Sequence, residues 1–326
     1  MVDYMKEKRN IGEILRQKSI HLAKQTIFYF KHITSFTRRY KFEDRSKNSK
    51  NLCIILSGYK ETVWDVVFER IEKFANDEMD ICIVSSGLYS ERLSGIAEKN
   101  NWSYLSTKKN SVCLAQNMAI KLFPNADYIY KLDEDIFITK NFFTTLKSTY
   151  DEVQENRQHN VGFVAPLIPI NGCGHVVILE KLGLIEYYEE NFEKVKYAAG
   201  PQRYIESNVD VAKFMWGENN LIPHIDDLDD MLSKDSFSYS VAPVKFSIGA
   251  ILFRRKLWEE MPYFRVDVTR GMGVDERQIC SYCVLTSQSM IISENTCVGH
   301  LSFGSQNNGM EKYYKENLEK FTINNI

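Results

Sequence analysis

A regular alternation of short apolar runs and amphipathic stretches, from residue 51 to residue 132, constrains the fold of this chain more than any other feature. The apolar runs are Leu52 to Leu56, Ile81 to Val84, Trp102 to Leu105 and Tyr128 to Leu132. In the charged sequence between them, apolar residues recur at three- and four-residue spacing, which is typical of helices with one buried face. Strands that alternate with helices build a doubly wound, mostly parallel sheet with helices on both faces. The alternation therefore predicts an α/β fold.

The composition is that of a globular protein. Hydrophobic residues make up 44% of the 326 residues and charged residues 26%, with 16 Gly and 7 Pro, which excludes collagen-like and low-complexity chains. No stretch approaches the roughly 18 apolar residues of a membrane-spanning helix, and the first thirty residues lack the apolar core of a secretory signal. The odd number of cysteines, seven, favours reduced thiols in such a chain. We expect a cytoplasmic protein.

The first 48 residues form a basic segment. Residues 1 to 50 hold 13 Lys and Arg against 5 Asp and Glu, a local charge of +8, so the remainder carries −10 of the total of −2. Apolar and basic residues alternate there at helical spacing, so we predict a basic amphipathic helical arm. Such an arm either lies on an anionic membrane surface or packs on the body of the protein. Nucleic acid is not an expected partner, because the basic character ends with this segment.

The residues that follow the predicted strands are the candidates for ligand binding, since ligands bind beyond the carboxyl ends of parallel strands. Ser57 and Tyr59 follow the first strand, and the run Lys131 to Asp135 ends the fourth. Adjacent carboxylates at the end of a buried strand require a compensating cation. Oxygen ligands with open positions suit Mg²⁺ or Mn²⁺ bound to a diphosphate. The pattern predicts a metal-diphosphate site at Asp133 and Asp135, and the alternative is a helix N-cap or a structural cluster of carboxylates.

A second copy of the D-x-D pattern, Asp227-Leu228-Asp229, lies in the acidic run from Asp226 to Asp230. No apolar strand precedes it, and helix-like sequence follows. We interpret this copy as a solvated face or the start of a helix, so the context of the motif separates the two copies.

Seven segments of the chain form an ordered set of motifs. They are Cys53–Leu56, Gln116–Ile120, Asn125–Ile129, Leu132–Asp135, Ser247–Arg255, Gly273–Arg277 and Val298–His300. Taken in order, these segments resemble nucleotide-sugar glycosyltransferases of the GT-A fold, especially those of family 2. The resemblance covers roughly residues 50 to 140 and 240 to 305, and implies a Rossmann-like GT-A sheet.

The resemblance also implies roles for individual residues. Asp135 and His300 would bind the divalent ion, and Asp133 would contact this ion through water or hold the ribose of the donor. The alternative for His300 is an ordinary core or surface histidine. Asn117 would lie in the donor site. An acidic pair before an arginine supplies the base that deprotonates the acceptor in related synthases, which favours Glu276 over Asp275. The alternative for this pair is an acidic helix start that the helix dipole stabilises.

The chain also departs from the family pattern. Many relatives end the second strand with paired aspartates that hold the nucleotide base, whereas this chain has Ser85-Ser86-Gly87. Tyr59 could stack on a base or lie exposed in its loop. A UDP-sugar is the favoured donor, although the nucleotide stays open.

Residues 49–140 are thus predicted to bind the nucleotide sugar, and residues 141–326 to bind the acceptor and carry the catalytic base. Within the second half, Phe214 and Trp216 belong to an aromatic segment that either shapes an acceptor pocket or packs in the core. The predicted function is metal-dependent, inverting transfer of a sugar to a glycan or lipid-linked acceptor in surface polysaccharide synthesis. The alternatives are a sugar nucleotidyltransferase and a non-catalytic sugar-nucleotide or glycan-binding subunit of a synthase complex.

Overall fold

The computed structural model describes residues 13, 15–20, 22, 23, 26, 34–156, 159–198, 204–266 and 273–324. Most of the predicted basic arm, residues 1–48, lies outside the described residues. Within the described part of the chain, no helix combines the length and the apolar character needed to cross a membrane.

Strands and helices alternate through the first half of the described chain, as the sequence predicts, and helices dominate the second half. The short 3₁₀ segments lie at Glu61–Val63, Tyr204–Glu206, Gly304–Gln306 and Leu318–Lys320. The other elements are β1 (Tyr40–Glu43), β2 (Asn51–Leu56), α1 (Trp64–Phe74), β3 (Asp80–Ser86), α2 (Glu91–Lys99), β4 (Ser103–Thr107), α3 (Val112–Leu122), β5 (Tyr128–Asp133), β6 (Ile136–Phe137), α4 (Phe142–Glu155), β7 (Val161–Leu167), α5 (Gly174–Leu182), α6 (Ile185–Asn191), α7 (Val209–Met215), α8 (Ile225–Leu232), β8 (Tyr239–Val241), β9 (Ala250–Arg254), α9 (Arg255–Glu260), α10 (Val274–Leu285), β10 (Ser289–Cys297), β11 (Gly299–His300) and α11 (Asn307–Glu316).

Among the described residues, nine strands form one mixed sheet in the order β1-β4-β3-β2-β5-β9-β7-β10-β8. Strands β2, β3, β4, β5, β7 and β10 run in the same direction, and β1, β9 and β8 run against them. The predicted α/β fold with a mostly parallel sheet is therefore confirmed. The sequence pattern does not predict the antiparallel strand β9, which separates the two parallel groups.

Both faces of the sheet are covered. Successive side chains of a strand point to opposite faces, and Leu52, Cys53, Ile54 and Ile55 of β2 are all 0% exposed. The continuous apolar runs thus arise because each strand is buried on both sides. Helix α3 packs against the parallel strands, and the Ser111 side chain caps it by accepting from the amide of Leu114.

The chain order reverses between β2 and β5. From β2 the chain moves outward to β3 and β4, and then returns to place β5 on the other side of β2. Leu56 and Asp133, at the carboxyl ends of these two strands, lie opposite each other in the register. This reversal opens a crevice at the carboxyl edge of the sheet, where α/β proteins bind ligands.

The aromatic segment of the second half belongs to the core. Trp216 is 5% exposed, and its ring lies against Phe137 and Phe321, with centroids 5.4 Å and 4.2 Å away. Phe214 is 3% exposed and packs on the aromatic residues of α6. Of the two alternatives for these two aromatic residues, the structure favours packing in the core.

Candidate active site

A cavity of about 1050 Å³ opens at the carboxyl edge of the sheet, beside the point where the chain order reverses. Its lining combines carboxylates, lysines and one histidine with apolar side chains such as Ile248 and Phe303. The charged residues that line it are Lys60, Lys109, Lys131, Asp133, Glu134, Asp135, Glu206, Lys245, Asp275 and Glu276, together with His300. The sequence-predicted residues Asp133, Asp135, Asp275, Glu276 and His300 are thus brought together in one cavity.

The Asp135 carboxylate contacts the Lys60 ammonium and the His300 imidazole. Its Oδ2 atom is 2.5 Å from Nζ of Lys60 and 3.3 Å from Nε2 of His300. Burial works to raise the pKa of Asp135, but His300 and Lys60 outweigh it and hold the pKa well below its usual range. Asp135 is therefore a carboxylate at every physiological pH.

A short two-stranded ladder places His300 beside Asp135. Strand β11 pairs with β6 so that His300 lies opposite Ile136, and the amide of Leu301 donates to the Asp135 carbonyl at 3.1 Å. The indole of Trp216 donates to the His300 carbonyl at 3.0 Å. The Nδ1 atom of His300 is buried and has no hydrogen-bond partner within the described chain. These contacts hold the backbone of His300 beside Asp135, and the Nε2 atom of the ring faces the Asp135 carboxylate.

Asp133 has a lysine of its own. Lys131 and Asp133 lie two residues apart on β5 and so share a face of the sheet, and their Nζ and Oδ1 atoms are 2.6 Å apart. Lys131 also donates to the Ile248 carbonyl at 2.8 Å. Burial works to lower the pKa of Lys131, but Asp133 and Asp275 outweigh it and the pKa is raised. Lys131 thus stays an ammonium and compensates the carboxylates around it.

Glu134, the middle residue of the first D-x-D copy, fixes the loop after β2. Its carboxylate accepts from the amides of Gly58 and Tyr59 at 2.8 Å and 3.0 Å, and from the indole of Trp64 at 2.6 Å. Burial raises the pKa of Glu134, while the Gly58 and Trp64 donors oppose the shift. This carboxylate anchors the loop that carries Lys60.

Three residues predicted to bind the donor lie outside the cavity lining. Ser57 is buried, and its Oγ atom has no hydrogen-bond partner within the described chain. Tyr59 is 66% exposed, and its hydroxyl donates to the Ser86 carbonyl at 3.2 Å. Asn117 is fully buried, and its side chain joins distant segments of the chain. Its amide group donates to the carbonyls of Ser35 and Phe264 and accepts from Trp258 and the amide of Phe264.

The acidic pair opens helix α10. Asp275 accepts a hydrogen bond at 2.8 Å from the buried amide of Gln116, whereas Glu276 forms an ion pair with Lys245. Burial raises the pKa of Glu276, while Lys245 and Lys131 oppose the shift. Both carboxylates lie in the first turn, where the helix dipole stabilises negative charge. The partner of Glu276 is thus a half-exposed surface lysine, whereas the partner of Asp275 is a buried side-chain amide.

The second D-x-D copy is a structural element. Asp226 and Asp227 lie in the first turn of α8, as predicted. Asp229 is not solvated, however: it is 0% exposed and accepts from Thr296 at 2.7 Å and from the side chain of Asn141 at 2.9 Å. The prediction of a solvated face was wrong for this residue, because contacts with β10 bury it.

Sequence reasoning missed the roles of four residues of the site. Lys60, Lys131 and Lys245 each pair with a carboxylate, and Glu134 anchors a loop. For Lys131 a signal exists, because a lysine inside an otherwise apolar strand requires a buried anionic partner. The pairs of Lys60 and Lys245 join residues 75 and 31 positions apart, and no local pattern marks them.

Two side chains offer donors to a divalent ion. In the described chain, no group of three or more His, Cys, Asp and Glu side chains is arranged to bind a metal. Asp135 and His300 direct an oxygen and a nitrogen atom, 3.3 Å apart, into the cavity. Mg²⁺ and Mn²⁺ are commonly held by one or two protein ligands, with phosphate oxygens and water completing the shell. The residues present therefore fit an ion that arrives with a diphosphate.

Comparisons with known proteins gave few matches at the sequence level. No family model matches the chain. The curated sulfate adenylyltransferase subunit 1 of Saccharophagus degradans is 26% identical over 144 residues, which are 44% of this chain and 26% of that protein.

Three solved structures are similar to the chain. A mannosyltransferase from Pyrobaculum calidifontis, in complex with GDP-Man and Mn²⁺, is 12% identical with a TM-score of 0.43 over 87% of this chain. GalNAc-T7 with UDP, GalNAc and Mn²⁺ is 11% identical with a TM-score of 0.45 over 80%. TarS from S. aureus is 13% identical with a TM-score of 0.44 over 77%. The chain spans 66%, 45% and 60% of their respective lengths.

Proposed function

We propose that this protein is a metal-dependent glycosyltransferase that moves a sugar from a nucleotide-sugar donor to a glycan or lipid-linked acceptor. The observation that carries the proposal is the convergence of Asp135, His300 and Glu276 on one cavity at the switch point of a mostly parallel sheet. Two of these residues supply donors for a cation, and the third is a carboxylate on the helix α10. The ordered motifs of the sequence support the same assignment.

Transfer from a nucleotide sugar requires charge compensation on the diphosphate leaving group. Mn²⁺ or Mg²⁺, held by Asp135 and His300 with Asp133 near, would supply this compensation as a Lewis acid. Lys60 and Lys131 add positive charge beside Asp135 and Asp133. Burial raises the pKa of Asp133, and Lys131 opposes this shift. Lys131 also fixes the orientation of the Asp133 carboxyl group by binding Oδ1, so that Oδ2 would be available to the donor or to bound water.

Glu276 is the residue proposed to deprotonate the acceptor hydroxyl. It carries an exposed ion-pair partner that can leave, since the Lys245 side chain is 54% exposed. Asp275, by contrast, is held by Gln116 and is better suited to orient the helix start. A base on the acceptor side is the arrangement that an inverting transfer needs, so we propose inversion of configuration at the sugar.

The cellular setting is part of the proposal. A basic arm at residues 1–48 suits an anionic membrane surface, which would place the enzyme on the cytoplasmic face beside a lipid-linked acceptor. Surface polysaccharide synthesis is the process that fits such a placement. A UDP-sugar is the donor that we would test first.

A thermal-shift screen against UDP-, GDP-, CMP- and dTDP-sugars, each with and without Mn²⁺, tests the proposal. A ligand that binds only the folded state stabilises it by about 2.7 kcal/mol at a hundredfold excess over its Kd. We expect one nucleotide class to stabilise the protein only with Mn²⁺. The Asp135→Asn variant should fold and lose this response, because it removes the charge of one metal ligand.

The second D-x-D copy provides the matched control. Asp227→Asn makes the same chemical change in a motif outside the cavity, and should keep the full response to ligand. Release of the nucleoside diphosphate in the presence of an acceptor then separates the alternatives. Binding without turnover over a broad acceptor panel would favour the non-catalytic subunit, and release of pyrophosphate from a nucleoside triphosphate would favour the nucleotidyltransferase.

A further inference from the structure

Two side chains contact the same carboxylate oxygen of the site. Oδ2 of Asp135 is the atom that faces His300, and it is also the atom that Lys60 contacts at 2.5 Å. The Asp135 side chain is 5% exposed and that of Lys60 is 23% exposed, so their pair lies at the inner wall of the cavity. Lys60 thus occupies the position from which a divalent cation would approach this oxygen.

The loop after β2 sets this position of Lys60. Glu134 binds the amides of Gly58 and Tyr59, so the backbone directly before Lys60 is fixed. The ammonium also lies 3.4 Å from Oδ1 of Asn307, which in turn accepts from the Ser302 hydroxyl at 2.6 Å. The backbone anchor is rigid, but the lysine side chain is a flexible four-carbon stem with three donors. The ammonium can therefore change partners while its loop stays in place.

An ammonium and a divalent cation that contact one carboxylate oxygen repel each other in a partly buried site, so each weakens the binding of the other. We propose that Lys60 is an internal counter-ion of Asp135 that competes with the divalent cation, and that pairs with the donor diphosphate once it is displaced. This inference rests on the proposed function. It makes Lys60 a diphosphate-binding residue whose availability depends on the occupancy of Asp135.

Other cavity lysines are less suited to this exchange. Lys131 is buried and bound to Asp133 and the Ile248 carbonyl, and Lys245 pairs with Glu276 on the other wall. Lys60 alone of these three contacts Asp135. A diphosphate that accompanies the metal would replace the carboxylate that Lys60 loses, so binding of metal and of diphosphate would favour each other.

The first test uses Mn²⁺ alone, with the free ion measured by electron paramagnetic resonance. Lys60→Gln removes the competitor, so we expect it to bind Mn²⁺ about tenfold or more tightly than the unaltered protein, within the usual range of such couplings. Lys109→Gln is the matched control, since it removes the same charge from the same cavity at an exposed residue, and should change the affinity much less. Lys60→Arg keeps the charge and should bind Mn²⁺ no more tightly than the unaltered protein.

The second test measures the binding of inorganic pyrophosphate by calorimetry, with a chelator present to remove metal ions. Asp135→Asn frees Lys60, and we expect it to bind pyrophosphate several-fold more tightly than the unaltered protein. The double variant Asp135→Asn with Lys60→Gln should lose this gain. Melting curves of every variant verify that each one is folded under the conditions of the titration.

Three results would overturn the inference. One is a folded Lys60→Gln variant with unchanged or weaker Mn²⁺ binding, and another is a gain equal to that of Lys109→Gln. The third is an Asp135→Asn gain for pyrophosphate that survives loss of Lys60. All three leave the glycosyltransferase proposal intact if nucleotide sugars still stabilise the protein with Mn²⁺. Absence of any response to nucleotide sugars would instead contradict the proposed function itself.

Discussion

The Glu276 carboxylate carries the chemical step of the proposed reaction. Its replacement by glutamine keeps the size and the hydrogen-bonding capacity of the side chain but removes the proton acceptor. We expect Glu276→Gln to lower the rate of sugar transfer by about 10²- to 10⁴-fold, the usual contribution of a positioned base. Nucleotide-sugar binding should persist, because the contacts proposed for the donor, at Asp133 and Asp135, do not involve Glu276. Initial rates and thermal shifts on the same preparation check both statements.

Lys245 is the ion-pair partner of this proposed base. Burial raises the pKa of Glu276, and Lys245 opposes the shift. A base must be ionised, so activity falls as pH drops through this pKa, at a higher pH than for an ordinary glutamate. Lys245→Gln removes an opposing charge, raises the pKa further and should move the acid limb of the profile to higher pH. A limb that stays in place or moves to lower pH would contradict the role of Glu276 as base.

At the level of elements, the pairing of β11 with β6 brings His300 to Asp135. Gly299 has a special place in this ladder, because a Cβ atom there would lie 2.2 Å from the Trp216 ring. Trp216 is packed between Phe137 and Phe321 and cannot withdraw without disturbing the core. The two-residue strand β11 thus depends on a glycine that lets the indole approach the backbone.

We expect Gly299→Ala to destabilise the protein by about 1 to 3 kcal/mol, as overpacking of a core typically does. Because the clash lies next to His300, the variant should also weaken Mn²⁺ binding in the remaining folded protein. Gly95→Ala is the control, since a Cβ atom at this helical glycine meets nothing within 4 Å. Urea unfolding gives the first quantity and a Mn²⁺ titration gives the second. Equal stabilities of the two variants would contradict the packing argument.

The sequence predicts those parts of the site that depend on local pattern. The apolar run before Asp133 identifies a strand end, and the glycine before His300 belongs to an ordered motif. Contacts between distant residues decide the rest. The Asn117 amide is occupied by Ser35, Trp258 and Phe264, and the sequence around it gives no sign of these partners.

The same limit applies to charge. The acidic run around Asp229 has the composition of a solvated helix start. Asp229 itself is nevertheless buried, because it binds Thr296 and Asn141, which are both distant from it in the sequence. The antiparallel β9 likewise follows from tertiary pairing with β5 and β7 and not from its own apolar pattern. Periodicity reports which residues are buried, and it does not report which partners bury them.

At the scale of the whole molecule, Arg70 joins the two halves of the chain. It is a fully buried residue of α1, and it forms a two-pronged ion pair with Asp226 of α8 at 2.8 Å and 3.0 Å. Its remaining donors bind the carbonyls of Ile138, Phe321 and Thr322 at 3.1 Å, 3.0 Å and 3.4 Å. One guanidinium therefore connects helix α1 to helix α8 and to the C-terminal segment of the described chain.

Loss of Arg70 should be much more costly than loss of a surface ion pair. Arg70→Met leaves Asp226 without its cation and two buried carbonyls without donors, so we expect a loss of about 3 to 5 kcal/mol. Lys312→Ala breaks the exposed pair with Glu316 and should cost less than about 1 kcal/mol. Urea unfolding measures both. If the unpaired carboxylate dominates, adding Asp226→Asn to Arg70→Met should recover part of the loss, and a further decrease in stability would show that Asp226 acts through its other contacts.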